Sequence, residues 1–170
     1  QAAGYALFAV LGREGPYMWT FFPGMLLLGA GLALCVAPLT TAVMNAVGSG
    51  YSGTASGINN AVSRVSGLIS IAVLGIVILA VFNSGLDAGL DLNGISEEVR
   101  IALEAERVKL AGADIPSGIA PEIARALDTL IRESYVTGFN IIMYIAAALT
   151  VLSAFISYLT VTDRPGNLRG

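Results

Sequence analysis

Hydrophobic positions in this chain fuse into long unbroken runs, and the polar positions are gathered between them. From Thr20 to Val47 there are twenty-eight consecutive residues without a charged side chain, and from Val136 to Thr162 there are twenty-seven. A third run, Val65 to Phe82, has eighteen. A helix rises about 1.5 Å per residue and a bilayer core is about 30 Å thick, so roughly twenty such residues cross it. Each longer run predicts a membrane-spanning helix. The third predicts one when Arg64, at its start, sits at the headgroups with its stem buried. Gln1 to Leu11 reads as the last turns of another apolar helix, without the basic start of a secretory signal. The chain is therefore expected to be a fragment of a longer protein.

These runs predict an all-α polytopic membrane protein with spans over about 1–11 (partial), 18–47, 55–82 and 135–162. Gly12-Arg13-Glu14-Gly15-Pro16 reads as a tight polar turn, and Tyr17 and Trp19 suit the membrane interface. Pro38 removes a backbone donor late in the second span and predicts a kink or local unwinding. Gly48 to Gly53 is a short connection, after which Thr54 or Ser56 would cap the next helix. Residues 83–134 form a loop too long to be structureless. Within it Ser96, Glu97 and Glu98 mark a helix start and Ala111-Gly112 its end, with Val99, Leu103 and Leu110 on a partly apolar side. Pro121 suits the first turn of a second amphipathic helix bearing Ile123, Leu127, Leu130 and Ile131 on one face. Both are expected to lie against the protein or membrane surface, the second leading into the last span.

Composition agrees with lipid as the solvent. The chain is 55% hydrophobic and 12% charged, with a mean hydropathy of +0.76, where soluble domains have about a quarter of their residues charged. The net charge is -3, and ten of the twelve acids with five of the nine bases fall between Asp87 and Glu133, which marks the water-exposed part. Only Arg107 and Lys109 stand close together, too little for a nucleic-acid patch. The single cysteine, Cys35, lies within a span and excludes a disulfide framework or a Cys-based zinc site. With no histidine there is no HExxH motif and no serine–histidine relay, and no GxxxxGK[ST] loop is present. Gly48-x-Gly50-x-x-Gly53 matches a dinucleotide fingerprint by letter, but it follows a membrane helix and residues 65–82 contain no acid. The acid pairs Glu97-Glu98 and Glu104 with Glu106 read as solvated helix faces. Neither an enzyme nor a bound cofactor or metal is expected.

The most informative pattern lies in the third span. Ser56, Asn60, Ser63, Gly67 and Ser70 recur at spacings of four, three, four and three and so share one face, and Gly53 and Gly57 add a GxxxG pair. In lipid no hydrophobic gain joins apolar helices, so close backbone approach and interhelical hydrogen bonds do. Gly57 and Gly67 suit helix packing, whereas Asn60 and Ser63 suit either packing or a water-filled cavity. Arg64 suits a snorkelling anchor or an interhelical contact at a gate. Proton-driven transport needs an intramembrane Asp, Glu or His, and none lies in these spans, so coupling carboxylates would lie outside this chain.

Pro23-Gly24 through Gly29-Ala30-Gly31, Ala37-Pro38-Leu39-Thr40, and the stretch from Gly53-Thr54-Ala55-Ser56-Gly57 through Asn60 and Arg64 to Gly67 resemble the late helices of the major facilitator superfamily. The resemblance is to the drug/proton antiporter branch with fourteen spans, of which these would be the end of the eleventh and the last three. It implies a bacterial inner-membrane transporter that expels drugs or small hydrophobic metabolites by alternating access, coupled to protons through residues outside this chain. By that likeness Thr40, Thr41, Asn45, Asn60 and Ser63 would face the substrate cavity, and Gly53, Gly57, Arg64 and Gly67 would serve packing or gating. Members of the family more often have glycine where Ser66 and Ser70 stand. The tail with Arg164 and Arg169 would be cytoplasmic and the acidic loop external, although Arg13, Arg125 and Arg132 would then also lie outside. The implied partners are the lipid bilayer and a small-molecule substrate. A rival reading is a non-transporting membrane subunit that binds partner proteins through the Gly53/Gly57 face and the long loop. Deleting residues 87–130 should spare efflux under the first reading and abolish partner binding under the second.

Overall fold

A computed structural model describes residues 1–11, 17–92, 95–116 and 118–160. Among these residues the regular structure is helical: α1 (Ala2–Leu11), α2 (Tyr17–Thr20), α3 (Phe22–Asn45), α4 (Ser52–Leu92), α5 (Glu97–Glu104) and α6 (Pro121–Thr160). Short 3₁₀ turns occupy Ser49–Tyr51 and Arg107–Gly112. The expected turn over residues 12–16 and the tail bearing Arg164 and Arg169 lie outside the described residues.

Three helices are long and apolar enough to cross a membrane: α3, α4 and α6. At 24 residues α3 is about 36 Å long, close to one bilayer core. Pro38 sits inside it without ending it, its missing N–H leaving the Leu34 carbonyl without the usual donor. The helices α4 and α6, at 41 and 40 residues, are each about 60 Å long and exceed the membrane by roughly half their length.

The surplus length of both helices builds a cap. The segment Asn83 to Asp91, rich in Gly, Asn and Asp, belongs to the helix because Phe82, Leu86 and Leu90 recur four apart and are buried, at 0%, 1% and 0% exposure. They form one core with Val99 and Leu103 of α5 and with Leu127 and Ile131 of α6, flanked by Ile95, Leu110, Ile115 and Leu130. Of the two amphipathic helices, one packs on this core as a separate element, α5, and the other runs without a break into the last span. The first stops at Glu104 and gives way to the 3₁₀ turn, where Leu110 holds φ at 54° while its side chain packs on the core. The second is the opening of α6 itself. Ser96 stands at the N-cap of α5 without a side-chain capping bond, so Glu97 and Glu98 supply the favourable charge at that end.

Glycines set where helices approach. A Cβ on Gly85 would stand 3.0 Å from Ser134 Oγ, one on Gly89 would overlap the Leu130 side chain, and one on Gly138 would stand 3.1 Å from Ile78 Cγ1. Gly85 and Gly89 form the GxxxG pair that joins α4 to α6. At the other end of the chain α1 runs between α3 and α6, with Gly24 against the Phe8 ring and Gly4 against Leu28.

Candidate functional site

The polar and small residues singled out from the sequence fall on the half of α4 farthest from the cap. Gly53, Gly57 and Gly67 have nothing within 4 Å of a built Cβ, and Asn60, Ser63 and Arg64 are exposed. A comparison along α4 defines the surface. Gly67 lies eighteen residues before Gly85, five turns of 3.6, and so occupies the same azimuth about 27 Å away. At Gly85 that azimuth meets Ser134; at Gly67 it meets no neighbour. Arg64 bears the same relation to Phe82, which is fully buried. The far half of α4 thus presents a stripe of Gly, Ser, Asn and one Arg that no described residue covers.

Within that stripe the hydroxyls are satisfied by their own helix. Ser63 Oγ donates to the Asn59 carbonyl at 2.8 Å and Ser70 Oγ to the Ser66 carbonyl at 2.8 Å. On α3, Thr40 and Thr41 donate in the same way to Val36 and Ala37, at 2.9 and 3.0 Å. These side chains remain acceptors for an incoming group while costing the hydrocarbon no free O–H. The amides of Asn45 and Asn60 have no such local partner and are exposed. Asn60 stands about one turn before Arg64 and Asn45 is the last residue of α3, so both lie near the membrane boundary, where water or protein can partner them. No ion pair to Arg64 occurs among the described residues. The uncharged stretch from Val65 to Leu86 spans about 33 Å, which places Arg64 one hydrocarbon thickness from Asp87.

Two features escape a reading of the sequence alone. Asn140, 5% exposed on α6, holds its Oδ1 without a hydrogen-bond partner. Arg107, also buried, ties the 3₁₀ turn to α4: its Nη2 lies 2.5 Å from Asp87 Oδ1, and its Nε lies 2.8 Å from Glu104 Oε2 without hydrogen-bond alignment. Arg100 repeats the link to α4 through Asp91 at 2.5 Å, and Lys109 bridges Glu106 and Asp114 at 2.6 and 3.0 Å. A shallow pocket of about 360 Å³ lies on the cap half of α6, lined by Arg125, Ala126, Thr129, Leu130 and Glu133, and includes none of the residues expected to face a cavity. No cluster of metal-ligating side chains occurs among the described residues.

The long apolar helices and the uncovered polar stripe define a multi-pass, all-α membrane protein. Over 68 residues the chain is 41% identical to the Multidrug resistance protein Stp of Mycobacterium tuberculosis strain CDC 1551 / Oshkosh, and equally to that of strain ATCC 25618 / H37Rv. The match covers 40% of this chain and 13% of each relative, so the chain is a homologue of a multidrug resistance protein over part of its length. No family model and no solved structure matches it.

Proposed function

We propose that this chain forms the closing helices of a drug-efflux transporter of the bacterial inner membrane, in the fourteen-span antiporter branch of the major facilitator superfamily. It would expel drugs or small hydrophobic metabolites by alternating access, driven by protons bound outside this chain. The partial identity to a multidrug resistance protein carries this reading. The stripe on α4 agrees with it: Asn60 and Ser63 would border the substrate route with Thr40, Thr41 and Asn45 of α3, while Gly53, Gly57 and Gly67 would seat neighbouring helices and Arg64 would sit at the gate. Self-satisfied hydroxyls beside exposed amides suit a route for varied, weakly polar molecules, because they offer acceptors without demanding one ligand geometry.

The test is efflux of a panel of fluorescent lipophilic dyes from cells producing the full-length protein, alongside its membrane abundance. Asn60→Leu and Arg64→Ala should each lower efflux while abundance stays near normal. Undiminished efflux in both variants at normal abundance would remove these residues from the substrate route.

A further inference from the structure

The helices α4 and α6 are joined along only one part of their length. The buried residues of α4, Phe82, Leu86 and Leu90, all lie in its last third, and those of α6 run from Leu127 to Asn140, in its first half. Beyond the contact of Ile78 with Gly138 burial falls away, with Leu74 of α4 and Ile142 and Ile145 of α6 only half-buried. Ile71, two turns farther along on the same azimuth of α4, is 73% exposed, and Gly67, one turn beyond it, has no neighbour within 4 Å. On α6, Leu149 and Leu152 are 56% and 52% exposed. The pair is therefore closed at the cap and open at its far end.

What closes it is strong for a surface element. Three turns of α4 and three of α6 meet through the cap core and the glycine contacts at Gly85 and Gly89, and two arginine links tie α5 and the 3₁₀ turn of that core to Asp91 and Asp87 of α4. Close-packed cores and bonded charge pairs have discrete arrangements and do not stretch continuously. The far halves have no such lock, and they carry the polar stripe.

We propose that the cap is a permanent clasp: it holds α4 and α6 together at the cap end through the whole working cycle, and relative movement of the two helices is confined to their far ends. The cycle is that of the transporter proposed above, on which this part rests. In a Cys35→Ser background, Gly85→Cys with Ser134→Cys places two Cβ atoms 3.3 Å apart, close to the roughly 3.5 to 4.5 Å of a disulfide. Ile71→Cys with Ile145→Cys makes the far-end counterpart, each residue two turns beyond the Ile78–Gly138 contact. Under a mild oxidant the cap-end pair should close with dye efflux retained, and the far-end pair should stay open. Loss of efflux on closing the cap-end disulfide, restored by a thiol reductant, would overturn the proposal, because the clasp would then have to open. So would a cap-end pair that fails to close, or a far-end pair that closes as readily.

Spin labels on exposed positions serve should the cysteine pairs disturb insertion. Ser84→Cys with Thr137→Cys should give one short, narrow distance, and Ser70→Cys with Leu149→Cys a longer and broader one; equal widths would overturn the clasp. Absence of efflux by the unmodified protein sinks the transport reading, while cross-linking and distances still decide the geometry of the clasp.

Discussion

At the scale of single residues, Arg107 decides how the cap responds to acid. Its hydrogen bond holds the Asp87 carboxyl below its ordinary 3.8, against a smaller upward push from burial, and Lys109 does the same for Asp114 and, with the Asp114 backbone N–H, for Glu106. A carboxyl whose folded value is depressed adds stability that is complete above its unfolded value and lost as pH falls through the folded one. The cap should therefore keep its structure from neutral pH to about pH 5 and loosen below about pH 4. Amide-exchange protection across residues 97–112 measures this. Asp87 is about half exposed, so Asp87→Asn should cost only about 1 to 2 kcal/mol and blunt the acid step. An acid step of unchanged size in that variant would shift the cause to other carboxyls. Glycines give a second contrast at this scale. Gly89→Val drives a branched side chain into Leu130 and should cost about 1 to 3 kcal/mol, whereas Gly57→Ala meets open space and should leave this chain's own stability nearly unchanged. The rule that small residues mark close helix approach was legible in the sequence; which glycines obey it inside this chain was not. Gly85-Leu86-Asp87-Ala88-Gly89 carries an aspartate and reads as loop, yet it forms the contact, because the partner helix also continues beyond the membrane and brings Ser134 and Leu130 alongside.

At the scale of elements, the long apolar runs announced α3, α4 and α6 because lipid leaves the backbone no partner but itself. The same signal is silent outside hydrocarbon, and there a reading of loop from residue 83 missed that α4 runs on to Leu92. Tertiary burial overrode local turn propensity there: Asn83, Ser84 and four residues of Gly or Asp stay helical because Phe82, Leu86 and Leu90 find Leu103 and Leu127. The four-residue spacing of those side chains was the available clue. Leu103→Ala should accordingly cost about 2 to 5 kcal/mol and raise exchange across both α5 and residues 83–92 of α4, since one core serves both. Exchange raised in α5 alone would mean that α4 holds its extension without the cap. The shared core also changes what deleting residues 87–130 would report. That cut removes Leu90, Val99, Leu103 and Leu127 together, leaving Phe82, Leu86 and Ile131 uncovered, so lost efflux in the truncated protein would no longer separate a transporter from a partner-binding subunit.

At the scale of the whole molecule, the arrangement makes one geometric demand: the cap and the Ser49–Tyr51 turn must lie on opposite sides of the membrane. The turn opens α4 and the cap closes it, and the 22 uncharged residues between Arg64 and Asp87 cross the hydrocarbon once. Charge alone does not orient this arrangement, because four of the cap's five bases, Arg100, Arg107, Lys109 and Arg132, are neutralised by neighbouring acids. Labelling supplies what charge counting does not. In the Cys35→Ser background, Gly112→Cys in the cap should react with a membrane-impermeant maleimide in intact cells, and Gly50→Cys in the turn should react only after permeabilisation. Both positions are exposed and neither meets a neighbour, so neither cysteine should disturb the fold. The reverse pattern would keep the fold and invert the protein, placing the polar stripe of α4 near the outer surface and exchanging the sides at which Arg64 and the clasp operate. Equal reactivity of both positions in intact cells would mean that α4 does not cross the bilayer, and the efflux assignment would fall with it, since a substrate route along α4 needs that helix to span the membrane.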